Sequence, residues 1–219
     1  MMLHHRLRAA SGARDSGGGG DIPTDGLLAH YTMENVSGST LIDETGNHDG
    51  TIYGATTGVG YLGFDGSDRV DIATLIANPQ SFSFFVDVTP DLIRTAPYES
   101  GVVHMIDGYG AVTLIFQNGT IKFYLYDGSF TILTAPATAG IRYKIIAQFS
   151  GGVGELYVNG GLVDSAGGIG SILYRGDESG RRLGSNYNNL SNYRLDGKIW
   201  EYAEYNRLLT SAEISEHFA

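Results

Sequence analysis

From Gly26 onward the chain alternates apolar and polar positions in short runs separated by turn residues. Leu156 and Val158 alternate with Glu155 and Tyr157, the period of a strand with one face buried. Asn159-Gly160 follows, a pair that tolerates positive φ, and Leu162-Val163 starts a return strand, so this stretch predicts a hairpin. Val112, Leu114 and Phe116 lead in the same way to Asn118-Gly119, after which Ile121, Phe123 and Leu125 return. Asp127-Gly128 then opens a third strand through Phe130, Ile132 and Thr134, giving a local antiparallel meander.

The same period holds elsewhere. Leu28, His30 and Thr32 alternate with Ala29, Tyr31 and Met33, and Phe82, Phe84, Val86 and Val88 point away from Ser83, Phe85 and Asp87. Ile145, Ala147 and Phe149 run into a glycine turn at residues 151–154. Only the last segment predicts a helix: Thr210-Ser-Ala-Glu213 fits a capping box and opens a short turn ending near Phe218. Successive short strands predict an all-β sandwich or barrel.

Composition agrees, with 32 glycines and 14 tyrosines in 219 residues. The net charge is −10, yet the first twenty residues carry Arg6, Arg8 and Arg14 against Asp15 alone. An acidic body repels phosphate, which argues against nucleic acid as a partner. There are no cysteines, so neither a disulfide frame nor a thiolate metal site is available. The first ten residues lack an apolar run of secretory-signal length, and no segment approaches the roughly 18 apolar residues that span a bilayer. Residues 1–22, ending in the linker Ser16-Gly-Gly-Gly-Gly20, read as a basic arm, and residues 23–219 as one domain.

With those segments in place, the chain resembles the laminin G-like, concanavalin A-like lectin jelly rolls. The segments that carry the likeness are Gly26 to Glu34, Asp43 to Thr51, Phe64 to Ile72, Ser81 to Phe84, the Tyr157-Val-Asn-Gly160 hairpin, and Leu195 to Thr210 followed by Glu213-Ile214. The chain departs from the family where a Trp is usual before the hairpin strand, in Ile141 to Ile145. Trp200 stands where many relatives carry an acid, and Glu204 where they carry an aliphatic residue. The resemblance implies two curved antiparallel sheets packed face to face, with loops at the edge of the concave sheet as the usual binding surface.

The chemistry expected of such a domain is recognition. Relatives that hydrolyse glycosides carry Glu-x-Asp-x-x-Glu on one strand; the nearest spacing here, Glu201-Tyr-Ala-Glu204, places its acids on opposite faces. The expectation is therefore no catalytic residues. No metal site or cofactor is expected, with a structural calcium as the alternative that the resemblance allows, near Asp43, Asn47 and Asp49 or Asp65, Asp68 and Asp71. Such turn residues also bond their own backbone.

Two sets of residues suit a sugar. The loop from Gly184 to Tyr193 offers Tyr187, Asn188, Asn189, Asn192 and Tyr193, flat rings among adaptable donors and acceptors. Tyr124, Tyr126 and Tyr157 face away from their apolar neighbours and would form a stacking platform if they share a sheet. A surface-type fold, no export signal and an anchor-like arm together predict a non-enzymatic adhesion module, specifically a bacteriophage virion protein of a fibre, tail or head decoration. It would contact a surface glycan or protein and dock through Arg6, Arg8 and Arg14 to other virion proteins. A homo-oligomer at the virion surface or in an extracellular assembly is expected, without nucleic acid or membrane. A scaffolding subunit is the alternative, and a glycoside hydrolase the third reading.

Overall fold

The computed structural model describes residues 22–72, 80–106, 111–173, 181–185 and 191–219. In chain order the strands are β1 (Leu27–Tyr31), β2 (Val36–Ser37), β3 (Thr40–Leu41), β4 (Gly50–Tyr53), β5 (Thr56–Thr57), β6 (Leu62–Asp65), β7 (Arg69–Ile72), β8 (Ser81–Pro90), β9 (Ser100–Ile106), β10 (Val112–Gln117), β11 (Thr120–Tyr126), β12 (Phe130–Pro136), β13 (Tyr143–Ser150), β14 (Val153–Val158), β15 (Gly161–Ala166), β16 (Arg181–Leu183) and β17 (Asp196–Tyr205). Helix α1 (Ser211–Phe218) follows.

These strands form two antiparallel sheets. Sheet I runs β15-β14-β13-β8-β17-β6-β5, with β1 paired to the C-terminal half of β17. Sheet II runs β12-β11-β10-β9-β16-β7-β4-β3-β2. The expected hairpins close where the sequence places them, because Asn118 and Asn159 adopt φ of 53° and 49° ahead of their glycines. Each turn then matches the twist of its flanking strands.

The core lies between the sheets. Phe82, Phe84, Val86 and Val88 of β8 face Leu114 and Phe116 of β10 and Ile121, Phe123 and Leu125 of β11, all buried in one cluster. Phe84 meets Phe123 edge-on at 5.8 Å across the gap, a favoured arrangement of two aromatic quadrupoles. Tyr143 is buried in the segment where the family's Trp is missing. It packs 5.9 Å from Phe116, and its hydroxyl accepts from the Thr138 N–H.

One polar pair crosses this core. Arg181 on β16 and Glu204 on β17 project inward from opposite sheets and form an ion pair. Tyr202 donates its hydroxyl to the second Glu204 oxygen at 3.0 Å.

The outer face of sheet I carries a second, smaller core. Phe85, Ile146, Ala203 and Tyr205 are covered by Leu209 and by Ile214 of α1. The helix starts as expected: Thr210 Oγ1 accepts from the Glu213 N–H, and the Glu213 carboxylate accepts from the Thr210 N–H. His217 stacks on Phe85 at 4.4 Å and bonds the Tyr205 hydroxyl at 2.9 Å. The C-terminal segment thereby closes part of this face. Sheet II is free of the helix and presents the surface described next.

Candidate functional site

Strand β11 alternates cleanly. Ile121, Phe123 and Leu125 point into the core, so Lys122, Tyr124 and Tyr126 point out from sheet II. The register of β12 sets Phe130 opposite Tyr126 and Ile132 opposite Tyr124, which puts all four side chains on that outer face. Tyr126 lies 4.8 Å from Phe130, and Tyr124 meets Phe130 edge-on at 5.9 Å. Phe130 remains 51% exposed and Ile132 42%. Partly exposed aromatic side chains of this kind make this face a candidate for recognition.

Polar groups border the rings. Ile115 pairs with Lys122 on one side and with Gly101 on the other, so Glu99, two residues before Gly101, reaches the same face. Burial raises the Glu99 carboxyl to a pKa of about 7, opposed in part by the charge of Lys122. Burial also raises the Tyr124 hydroxyl, and the Glu99 charge adds to it. Lys122 Nζ donates to Gln117 Oε1 at 2.8 Å, and Gln117 Nε2 donates to the Tyr98 carbonyl at 2.9 Å. The site thus combines three rings, an ammonium, an amide and a carboxyl that changes charge near neutrality.

The long polar loop reaches this border. Its base is closed by a bridge between Ser185 and Arg194, and the Asn192 carbonyl accepts from the Glu99 N–H at 3.2 Å. Asn192 is exposed and Tyr193 half-buried. The Asn192 backbone therefore lies beside Glu99, whose charge acts on Tyr124. Tyr187, Asn188 and Asn189 lie outside the described residues, as do Arg6, Arg8 and Arg14.

Tyr157 corrects the expected platform. It belongs to β14 of sheet I, packs against the cluster beneath α1, and donates its hydroxyl to Glu155 at 3.1 Å. Its alternation was the same as that of Tyr124, but it stands on the other sheet.

Glu99 and Phe130 were absent from the expected site residues. Phe130 was visible as an apolar residue after a turn. Nothing in Tyr98-Glu-Ser100 announces a half-buried acid, since its neighbours come from β11 and from a loop over ninety residues later.

The other acids are committed elsewhere. Glu201 and Glu204 do fall on opposite faces: Glu201 bonds His30 Nε2 at 2.8 Å outside sheet I, while Glu204 sits inside. Asp87 receives Arg142 through two bonds of 2.7 and 2.8 Å, and that guanidinium lies 3.9 Å over the Trp200 ring. Burial alone would raise Asp43, but N–H bonds from His30, Thr45 and Asn47 outweigh it and hold the carboxyl below its ordinary range. Asp65 accepts from Ser67, and Asp68 from the Asp65 N–H. Among the described residues, no group of three His, Asp or Glu side chains is placed to hold a metal ion.

A shallow cleft of about 240 Å³ lies on the sheet I side, lined by Tyr61, Asp65, Asp68, Asp91 and Lys198 among others. Lys198 already pairs with Asp91 there at 2.7 Å. The platform on sheet II, with its half-exposed rings, is the stronger candidate.

A model of the concanavalin A-like lectin/glucanases superfamily matches residues 64–215, and the chain belongs to that superfamily. No curated protein matches the chain. Among solved structures it is similar to a Trypanosoma rangeli sialidase in complex with sialic acid, at 19% identity and a TM-score of 0.71. That match covers 90% of this chain and 33% of the sialidase chain, so the chain spans about a third of the sialidase's length. It is also similar to domain 4 of a GH43 extracellular arabinanase from Geobacillus stearothermophilus, in complex with arabinotriose. There the identity is 18% and the TM-score 0.63, covering 88% of this chain and 98% of that one.

At these identities the likeness establishes the fold. It also overturns the expectation of a phage virion adhesion protein, because the shared architecture is that of a sialidase and an arabinanase domain. Among the described residues, no helix is long and apolar enough to cross a membrane.

Proposed function

We propose that this domain recognises saccharides on the outer face of sheet II, as the sugar-binding part of a glycan-processing protein. The observation that carries the reading is the half-exposed Phe130 ring packed against Tyr124 and Tyr126, bordered by Glu99, Lys122 and Asn192. A sugar ring presents one apolar face and a rim of hydroxyls. Aromatic side chains meet the face, and fixed polar groups meet the rim. The similarity to a domain seen with arabinotriose supports the same class of ligand.

Recognition fits the carboxylates better than hydrolysis does. Glycoside hydrolysis uses a pair of acids flanking one bond. Glu201, Glu204 and Asp87 are each held by a basic partner, and Glu99 is the acid beside Tyr124.

Calorimetric titration with a panel that includes arabinotriose and sialic acid tests the reading. Binding should weaken by roughly tenfold or more in Phe130→Ala and Tyr124→Ala, since buried aromatic anchors carry most of the energy of such contacts. Retained affinity in both variants would contradict it. Release of reducing sugar that disappears in Glu99→Gln would assign hydrolysis instead.

A further inference from the structure

The aromatic platform continues along the edge of sheet II. Strand β12 is the terminal strand of that sheet. Along it Leu133 and Ala135 are buried, while Phe130, Ile132, Thr134 and Pro136 stay exposed. One face of the strand thus meets water at every second residue over its whole length.

Strand β11 supplies a second row beside it. The register sets Tyr126 opposite Phe130, Tyr124 opposite Ile132, Lys122 opposite Thr134 and Thr120 opposite Pro136. All four β11 residues are half-buried, so they floor a track whose outer margin is β12. The stretch from Phe130 to Thr134 alone covers about 14 Å of strand, longer than one sugar ring.

The chemistry changes along this track. At one end Phe130 packs 4.8 Å from Tyr126, and Ile132 with Tyr124 follows. Beyond them the surface turns polar. Lys122 Nζ donates to Gln117 Oε1 at 2.8 Å, and the Thr134 N–H donates to Asp164 Oδ2 at 2.8 Å.

A site for one terminal sugar is a concave pocket that encloses most of its ligand. The track has the opposite character, with Phe130 51% and Ile132 42% exposed. The shallow clefts of about 240 and 370 Å³ are lined by other residues.

We infer that the track binds consecutive units of a linear saccharide chain instead of a single terminal sugar. The inference rests on the saccharide reading of the platform. One unit stacks on Phe130, the next lies over Ile132, and their hydroxyls reach Lys122 and Thr134. The exposed margin along β12 leaves room for the rest of the chain.

Arabinose and sialic acid, each as the single sugar and as its linear trimer, are titrated calorimetrically against the whole chain. In the series that binds, the trimer should bind about tenfold tighter or more, because its further rings cover additional apolar surface. Ile132→Ala should remove most of that advantage and leave the single sugar unchanged, whereas Phe130→Ala should weaken both. Ile132 is half in water, so its variant is expected to fold, and thermal unfolding checks this. A single sugar that binds as tightly as its trimer would overturn the track and leave the saccharide reading standing. So would a trimer advantage that survives Ile132→Ala. Binding of neither series would overturn the platform and the track together.

Discussion

Arg181 and Glu204 reach toward each other from opposite sheets and meet inside the sandwich, exposed by only 2% and 0%. A charge pair in that position is costly to bury and more costly to break, since either partner left alone is an uncompensated charge in the core. Glu204→Gln should therefore destabilise the domain by about 3–5 kcal/mol in urea unfolding. Replacing both partners at once, as Arg181→Met with Glu204→Leu, should recover much of that loss. A single variant with unchanged stability would show that the pair contributes nothing. The residue that departs from the family's aliphatic preference at 204 is thus answered by Arg181.

His217 gives the fold a dependence on pH. Burial against Phe85 and Tyr205 keeps the ring neutral and lowers its pKa from 6.5 to about 4. The charges of His30 and Lys144 act in the same direction, and those of Glu201 and Glu213 oppose it. The unfolded chain takes up this proton first as pH falls. Stability present above about pH 6.5 is consequently lost as pH drops toward about 4, at up to about 1.4 kcal/mol per pH unit. His217→Gln, which keeps a hydrogen-bonding group near Tyr205, should flatten the stability profile in that window and change little above it. Unfolding midpoints measured across the range check this, and an unchanged slope in the variant would contradict it.

Gly184 couples the fold to the site. Its φ is +73°, and an added Cβ would lie 2.3 Å from the Phe64 ring. The residue stands at the base of the loop, where its N–H bonds the Val102 carbonyl and its carbonyl accepts from Leu195. Gly184→Ala should cost about 1–3 kcal/mol through strain and overpacking. It should also shift Asn192 away from Glu99 and weaken saccharide binding. An alanine variant with full stability and full affinity would show that the loop base does not position the site.

Much of the fold was readable because local rules and long-range packing agree. Asn118-Gly119 and Asn159-Gly160 set their own hairpins, and Thr210 with Glu213 set the start of α1. Tyr143 is buried because its strand keeps its inward period. The site was harder to see for a physical reason. Alternation reports which face a residue takes within its own strand and says nothing about which sheet that strand joins. That is why Tyr124 and Tyr157 looked equivalent and are not. Glu99 acquires its character from burial, from the charge of Lys122 and from a backbone bond to Asn192. Such groupings exist only after the strands have paired.

The central claim concerns where a sugar lands. Amide and aromatic NMR shifts recorded while arabinotriose is titrated into the whole chain test it most directly. Perturbations gathered at Tyr124, Tyr126, Phe130, Glu99 and Asn192, and diminished in Phe130→Ala, are the expected result. Perturbations confined to Tyr61, Trp200 and Lys198 on the outer face of sheet I, or none with any saccharide of the panel, would contradict the account.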